Sequence, residues 1–146
     1  MIICDTREKK NQHILDYFDS HGVDYTLKKL DTGDYMTSEN DTITVDRKQN
    51  LAELAQNLLS HDDSRFWREL RRAHDAHMKM IILCELGGQI KSIPDVAKWR
   101  SKYTNVTGKQ LMNEIYRVHI SYGVEFLFCD KRSTARKIIE LLGYEQ

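Results

Sequence analysis

GDYMTSENDTITVDRK, residues 33–48, reads as two short alternating runs joined by a polar turn, and the side on which its charges fall decides what this hairpin is for. A turn centred near Asn40 sets Asp34 opposite Asp46, Tyr35 opposite Val45 and Met36 opposite Thr44. Side chains alternate across a strand, so Tyr35, Thr37, Ile43 and Val45 share an apolar face suited to a core. Asp34, Met36, Thr44, Asp46 and Lys48 share the other. Opposed cross-strand residues have Cβ atoms about 4.5–5.5 Å apart, where like charges repel. A divalent cation between the two aspartates resolves that conflict, since magnesium takes oxygen ligands and commonly only one or two carboxylates. Lys48, on the same face, would point at the same place and stabilise charge on a phosphate. The competing reading has Lys48 bridging both aspartates as an ion pair with no metal.

Outward from the hairpin, Leu51, Leu54, Ala55, Leu58 and Leu59 recur at helical spacing, with Asn50 as N-cap and Glu53 in the capping-box position. Phe66, Leu70, Ala73 and His77 trace a second helical stripe that should face the core. Arg65, Arg68 and Arg72 lie opposite it, either to contact phosphates or as a solvated helix face. Met80–Cys84 is apolar throughout and predicts a strand buried on both faces, closed by Glu85. Upstream, the pattern predicts a strand at Met1–Cys4, a helix over Asn11–Ser20 ended by Gly22, and a half-exposed strand at Asp24–Leu30. Downstream it predicts a short helix at Ile93–Arg100, a helix from the capping pair Thr107 and Gln110 to Tyr122, a strand at Val124–Cys129, and a helix capped by Ser133 running through Leu142. Hairpin-joined strands followed by alternating helices and strands imply an α/β fold, a mixed sheet flanked by helices. His74, His77 and His119 fall on or beside apolar stripes and read as packed rather than ligating.

The chain has 146 residues, 40% hydrophobic and 30% charged, with a single proline, and fits one domain spanning residues 1–146. Lysine plus arginine and aspartate plus glutamate each number 22, so any nucleic-acid site must be a local patch rather than a global field. No stretch approaches the roughly 20 apolar residues of a membrane span, and the N-terminus lacks the pattern of a signal peptide. A cytoplasmic protein with no membrane association is the expectation. Cys4, Cys84 and Cys129 are far apart in apolar runs and form no CxxC pair, which predicts free thiols rather than a zinc site.

Taken in order, CDTRE at residues 4–8, GDY with VDRK, and SRFWRELRRA at residues 64–73 resemble the XPF-type (ERCC-four) nuclease signature, GDY…ERKxxxD, of the PD-(D/E)xK superfamily. The resemblance implies a restriction-endonuclease-like fold and a Mg²⁺- or Mn²⁺-dependent DNA endonuclease acting on branched, flapped or junction DNA in repair or recombination. The products would carry 5′-phosphate and 3′-hydroxyl ends. Asp34 and Asp46 would bind the metal, Lys48 would be the catalytic lysine, and Asp5 would sit at the rim. Arg7 and Arg47 would bind DNA, with Arg47 helping to position substrate or the local fold. Asp46 stands where the family more often has glutamate. The final acid of ERKxxxD falls at Ala52, which cannot serve, and Glu53 lies one place late, in a capping or a metal role. Without the helix-hairpin-helix repeats of its larger relatives, the chain resembles a bare bacterial or phage form, expected to dimerise through Thr107–Tyr122 and Ser133–Leu142. The alternative is a catalytically inactive DNA-binding or dimerisation module of the same fold.

Overall fold

In the computed structural model, which describes residues 1–102 and 104–144, the apolar runs too short for helices pair into one mixed sheet. In chain order the elements are β1 (Ile2–Cys4), α1 (Gln12–Ser20), β2 (Tyr25–Leu27), β3 (Tyr35–Thr37), β4 (Asn40–Lys48), α2 (Leu51–Leu58) and α3 (Arg65–Asp75). There follow β5 (Lys79–Glu85), a 3₁₀ helix at Ile93–Lys98, α4 (Gly108–Tyr122), β6 (Glu125–Cys129) and α5 (Thr134–Leu141). The six strands lie in the order β2-β1-β3-β4-β5-β6. β1 with β3 and β3 with β4 are antiparallel, and the remaining pairs are parallel. This is the mixed sheet flanked by helices that the pattern predicts.

β5 shows why both faces must be covered. Met80, Ile82 and Cys84 pack with α2, α3 and α4 on one side, while Ile81 and Leu83 pack with α1 and α5 on the other. Each of these five side chains is almost wholly removed from water, as the unbroken apolar run requires. Trp67, on α3, also enters the first layer, although its position lies beside the predicted stripe. The thiols of Cys4, Cys84 and Cys129 are free, as expected, with Cys129 only half-buried.

Several local expectations need correction. The hairpin turn falls at Ser38–Glu39 rather than at Asn40. Tyr35 pairs with Val45 as expected, but Thr37 pairs with Asn40, so the ladder is irregular between them and the Met36–Thr44 pairing of an unbroken hairpin is not kept. β2 stops at Leu27 instead of Leu30. His77 lies past the end of α3, exposed and with φ of 56°, so it is no part of the core stripe. His74 and His119 are exposed as well; His74 stacks edge-on against Tyr122, and His119 Nδ1 lies 2.7 Å from the Val124 carbonyl. Ser133 occupies the N-cap position of α5 but makes no side-chain cap bond. Thr107 and Gln110 do form the reciprocal capping box of α4. No helix among the described residues is long and apolar enough to cross a membrane.

Candidate active site

Alternation along β4 divides Asp46, Arg47 and Lys48 between the two layers. Val45 packs in the α1/α5 layer, and Arg47 follows it there. Asp46 and Lys48 face α2 and α3, where the Lys48 ammonium lies 5.0 Å from the centre of the Phe66 ring. The polar face of the hairpin is therefore buried: Asp46 is 8% and Lys48 7% exposed.

Asp34 reaches this layer from the other strand. Its N–H donates to the Val45 carbonyl at 2.8 Å, which sets it opposite Asp46, and its Oδ2 accepts the Arg47 backbone N–H at 2.8 Å. Gly33 precedes it with φ of 73°, and a Cβ there would lie 2.0 Å from Thr44 Oγ1. Only glycine tolerates both the conformation and the contact.

Lys48 Nζ is 3.0 Å from Asp46 Oδ2. Burial works against the lysine charge, but Asp46 and then Asp34 hold its ammonium above the ordinary lysine value. Burial, followed by the neighbouring Asp46, pushes the Asp34 carboxyl well above the usual range. Burial opposes ionisation of Asp46 too, yet Lys48 and the Asp34 hydrogen bond keep it below. Of the two carboxyls Asp34 is thus the more readily protonated, while Asp46 is the more readily ionised beside the lysine.

These groups line a cleft of about 270 Å³ together with Arg7, Glu8, Glu53, Asn57, Arg65 and Glu69. The donor set suits a hard divalent cation, with two opposed carboxylates and room for water or phosphate oxygens. No cluster of three or more His, Cys, Asp or Glu able to hold a metal occurs among the described residues, so a cation here would rest on Asp34 and Asp46.

The ERCC4 domain family matches residues 4–142, which carry every one of these side chains. The chain belongs to the ERCC4 domain family. It is similar to the structure of XPF from Aeropyrum pernix, with 22% identity and a TM-score of 0.71 over 97% of this chain and 62% of that one. The structure of the same archaeal protein in complex with DNA gives 23% identity and a TM-score of 0.70, with the same coverage. The chain thus spans 62% of the length of the archaeal chain, and the likeness shows the XPF nuclease fold. No curated protein matches it.

Within this ERCC4 domain the named residues separate. Asp34, Asp46, Lys48, Arg7 and Arg65 share the cleft, and Arg47 also borders it although its side chain is buried. Arg68 and Arg72 lie instead on the outer face of α3 around a shallow hollow with Arg71 and Asp75, and Arg72 also donates to the Asp31 carbonyl. Asp5 is not at the rim. It is 2% exposed, accepts the Leu30 N–H at 2.9 Å and the Arg7 Nε–H at 3.0 Å, and so holds Arg7 in the cleft wall.

Arg47 does not face a DNA backbone. Its Nε and Nη2 donate to the Glu8 carboxylate at 2.7 and 3.1 Å, Nη2 donates to the Lys9 carbonyl at 2.7 Å, and Nη1 donates to Glu85. Four of the five guanidinium donors are occupied inside a side chain only 1% exposed. Glu8 also accepts from the Tyr35 hydroxyl at 2.8 Å, and Glu85 from Thr134, with His13 Nε2 at 2.6 Å. CDTRE, GDY and VDRK are therefore tied to each other by one buried network, to which Glu85 belongs.

The sequence offers Glu53 a capping or a metal role and does not single out Glu69 for the cleft. Glu69 is the acid of SRFWRELRRA; burial and then Asp46 raise its carboxyl above the ordinary value. Its place one helical turn from Arg65 was the available signal. Asn50 caps α2 by accepting the Glu53 N–H at 2.8 Å, and Glu53 reaches back to the Gln49 N–H at 3.0 Å, one residue beyond the capping-box partner. Its carboxylate still borders the cleft, whereas Ala52 faces a separate hollow.

Proposed function

We propose that this chain is a divalent-metal-dependent DNA endonuclease, acting as a single domain on branched, flapped or junction DNA. Members of the ERCC4 family are nucleases. The observation that carries the reading is the pairing of Asp34 and Asp46 beside a charged, buried Lys48 in a cleft walled by Arg7 and Arg65. A degenerate fold has no reason to keep opposed carboxylates in a site that burial makes unfavourable.

Mg²⁺ or Mn²⁺, held by Asp34 and Asp46, would supply Lewis acidity toward the scissile phosphate and lower the pKa of the attacking water. Asp46 and Asp34 favour the charged form of Lys48 against burial, so it serves as a charge donor to a phosphate oxygen rather than as a base. Glu69, with its raised carboxyl, is placed to take a proton from water. Arg65 and Arg7 would hold the backbone, and the Arg47–Glu8 network would fix β4 against β1. The structure of XPF from Aeropyrum pernix in complex with DNA supports DNA as the partner.

A role in repair or recombination, a cytoplasmic location in a bacterium or phage-infected cell, and homodimerisation complete the proposal. The dimer would use α4, where Ile120 is 79% exposed. α5 has less apolar surface to offer, because Ile138 and Ile139 pack within their own chain and Leu141 is partly buried.

The test incubates labelled duplex, flap, fork and four-way-junction DNA with Mg²⁺ or Mn²⁺ and compares wild type with Asp46→Asn and Lys48→Ala. Cleavage of branched DNA that both substitutions abolish is the expected result. Cleavage surviving both removes the site, equal cutting of every structure removes branch selectivity, and no cutting of any substrate favours the binding module. That second reading draws on the Lys48–Asp46 ion pair, which satisfies both charges without a cation.

A further inference from the structure

α2 separates the catalytic cleft from a second hollow. Glu53 and Asn57 border the cleft, while Ala52, Ala55, Gln56 and Leu59 form one wall of an apolar groove of about 460 Å³ closed by Trp99 and Val106. Leu59 is 52% exposed, unusual for a large apolar side chain whose helix otherwise buries its stripe. Trp99, Ser101, Thr104 and Val106 also belong to an adjoining hollow, whose rim carries Lys98, Arg100 and Lys109. No carboxylate lines either hollow among the described residues, in a chain of zero net charge. Lys98 has a partner in Asp95 at 3.6 Å; Arg100 and Lys109 are exposed.

We infer that this groove binds the unpaired nucleotides of a single-stranded segment, seating bases on Trp99, Val106 and Leu59 while Arg100 and Lys109 hold the phosphates. An apolar, aromatic floor beside a cationic rim is the combination that single-stranded nucleic acid recognises. A duplex cannot use it, because paired bases present their flat faces only to each other. A protein partner would need no exposed Arg100 and Lys109 beside the apolar floor. The α2 helix is about 10 Å across, a distance a few nucleotides span, so a strand leaving the cleft over α2 arrives in the groove. The inference rests on the nucleic-acid reading above and adds to it a reason for preferring DNA with an unpaired arm.

The experiment measures anisotropy of a fluorescein-labelled ten-nucleotide oligothymidylate and of a blunt duplex in EDTA, where cleavage cannot intervene. Trp emission is followed in parallel, since Trp67 is buried and Trp99 is partly exposed. Wild type should bind the oligothymidylate with quenching. Leu59→Asp and the double variant Arg100→Glu/Lys109→Glu should each weaken that binding tenfold or more while changing duplex binding less than threefold. Both sets of side chains are exposed, and the double variant decides alone if Leu59→Asp fails to fold by circular dichroism. Unchanged oligothymidylate binding, or equal loss on both DNAs, overturns the groove while leaving the catalytic cleft untouched. A wild-type dimer that Leu59→Asp dissociates in sedimentation overturns it in favour of a second copy. Failure of wild type to bind either DNA overturns the nucleic-acid reading itself.

Discussion

Arg47 and Lys48 are neighbours in sequence, yet their charges serve opposite faces of the sheet. Lys48 Nζ meets Asp46 at 3.0 Å in the cleft, whereas Arg47 Nε meets Glu8 at 2.7 Å in the layer of α1 and α5. Substitutions at the two positions should therefore fail differently.

Arg47→Ala leaves Glu8 and Glu85 buried without their cation. Breaking a buried pair in this way costs about 3–5 kcal/mol, and Arg47→Lys should recover only part of it because a lysine cannot replace the forked contact with Glu8. Urea denaturation measures the loss. A stability change below about 1 kcal/mol would mean that the network is not what holds β4 to β1.

Lys48→Ala should lower cleavage by about 10²-fold or more, the usual effect of losing one preorganised charge donor, with DNA affinity in EDTA nearly unchanged. Lys48→Arg should restore it only in part, since a planar guanidinium spreads its charge over a fork where the ammonium is a compact point charge beside Asp46 and the Phe66 ring. Single-turnover rates beside binding constants separate the two effects. A variant that loses affinity but keeps its rate would reassign Lys48 to substrate binding.

The Asp34 carboxyl is raised by burial and then by Asp46, which reverses the usual pH dependence of a carboxylate. Between the ordinary aspartate pKa and its raised folded value the native state binds more protons than the unfolded chain, so this group's contribution to stability falls as pH rises through that window. Asp46, held low by Lys48 against burial, contributes in the normal sense and loses its contribution only as pH falls through its depressed value. Asp34→Asn should raise the thermal midpoint in EDTA above the ordinary carboxylate range and flatten its pH profile. Mg²⁺ should raise the wild-type midpoint, releasing a proton, and should not raise that of Asp46→Asn. Thermal melts across pH, with calorimetry in two buffers, test both statements.

Gly33→Ala places a methyl group 2.0 Å from Thr44 Oγ1 at φ of 73°. Thr44 cannot turn aside without losing its hydrogen bond to the Thr32 carbonyl at 2.9 Å. The strained backbone alone costs about 1–3 kcal/mol, and the contact displaces Asp34 from Asp46, so activity should fall along with the urea midpoint. Adding Thr44→Ala should recover part of the stability, because it removes the atom that the new methyl meets.

Much of the site was legible because strand alternation is local. Asp34, Asp46 and Lys48 fall on one face by counting alone, and the same count places Arg47 on the other. Its assignment to DNA conflicts with that periodicity. What alternation cannot give is the environment of each face: the hairpin's polar side reads as wet until α2 and α3 fold over it. Glu69 lies in a recognised motif, but only the docking of α3 onto β4 turns it toward Asp46.

The sequence by itself determined the strands, the helices and the order of the three motifs, since periods of two and 3.6 residues and the caps at Asn50 and Thr107 are properties of neighbouring residues. Tertiary structure alone decided the partners of the buried charges. Arg47 meets Glu8 and Glu85 across separations of 39 and 38 residues, and no local rule links such positions. Burial then converts those meetings into function, because a carboxylate removed from water must take a proton, a lysine or a cation, and only packing removes the water.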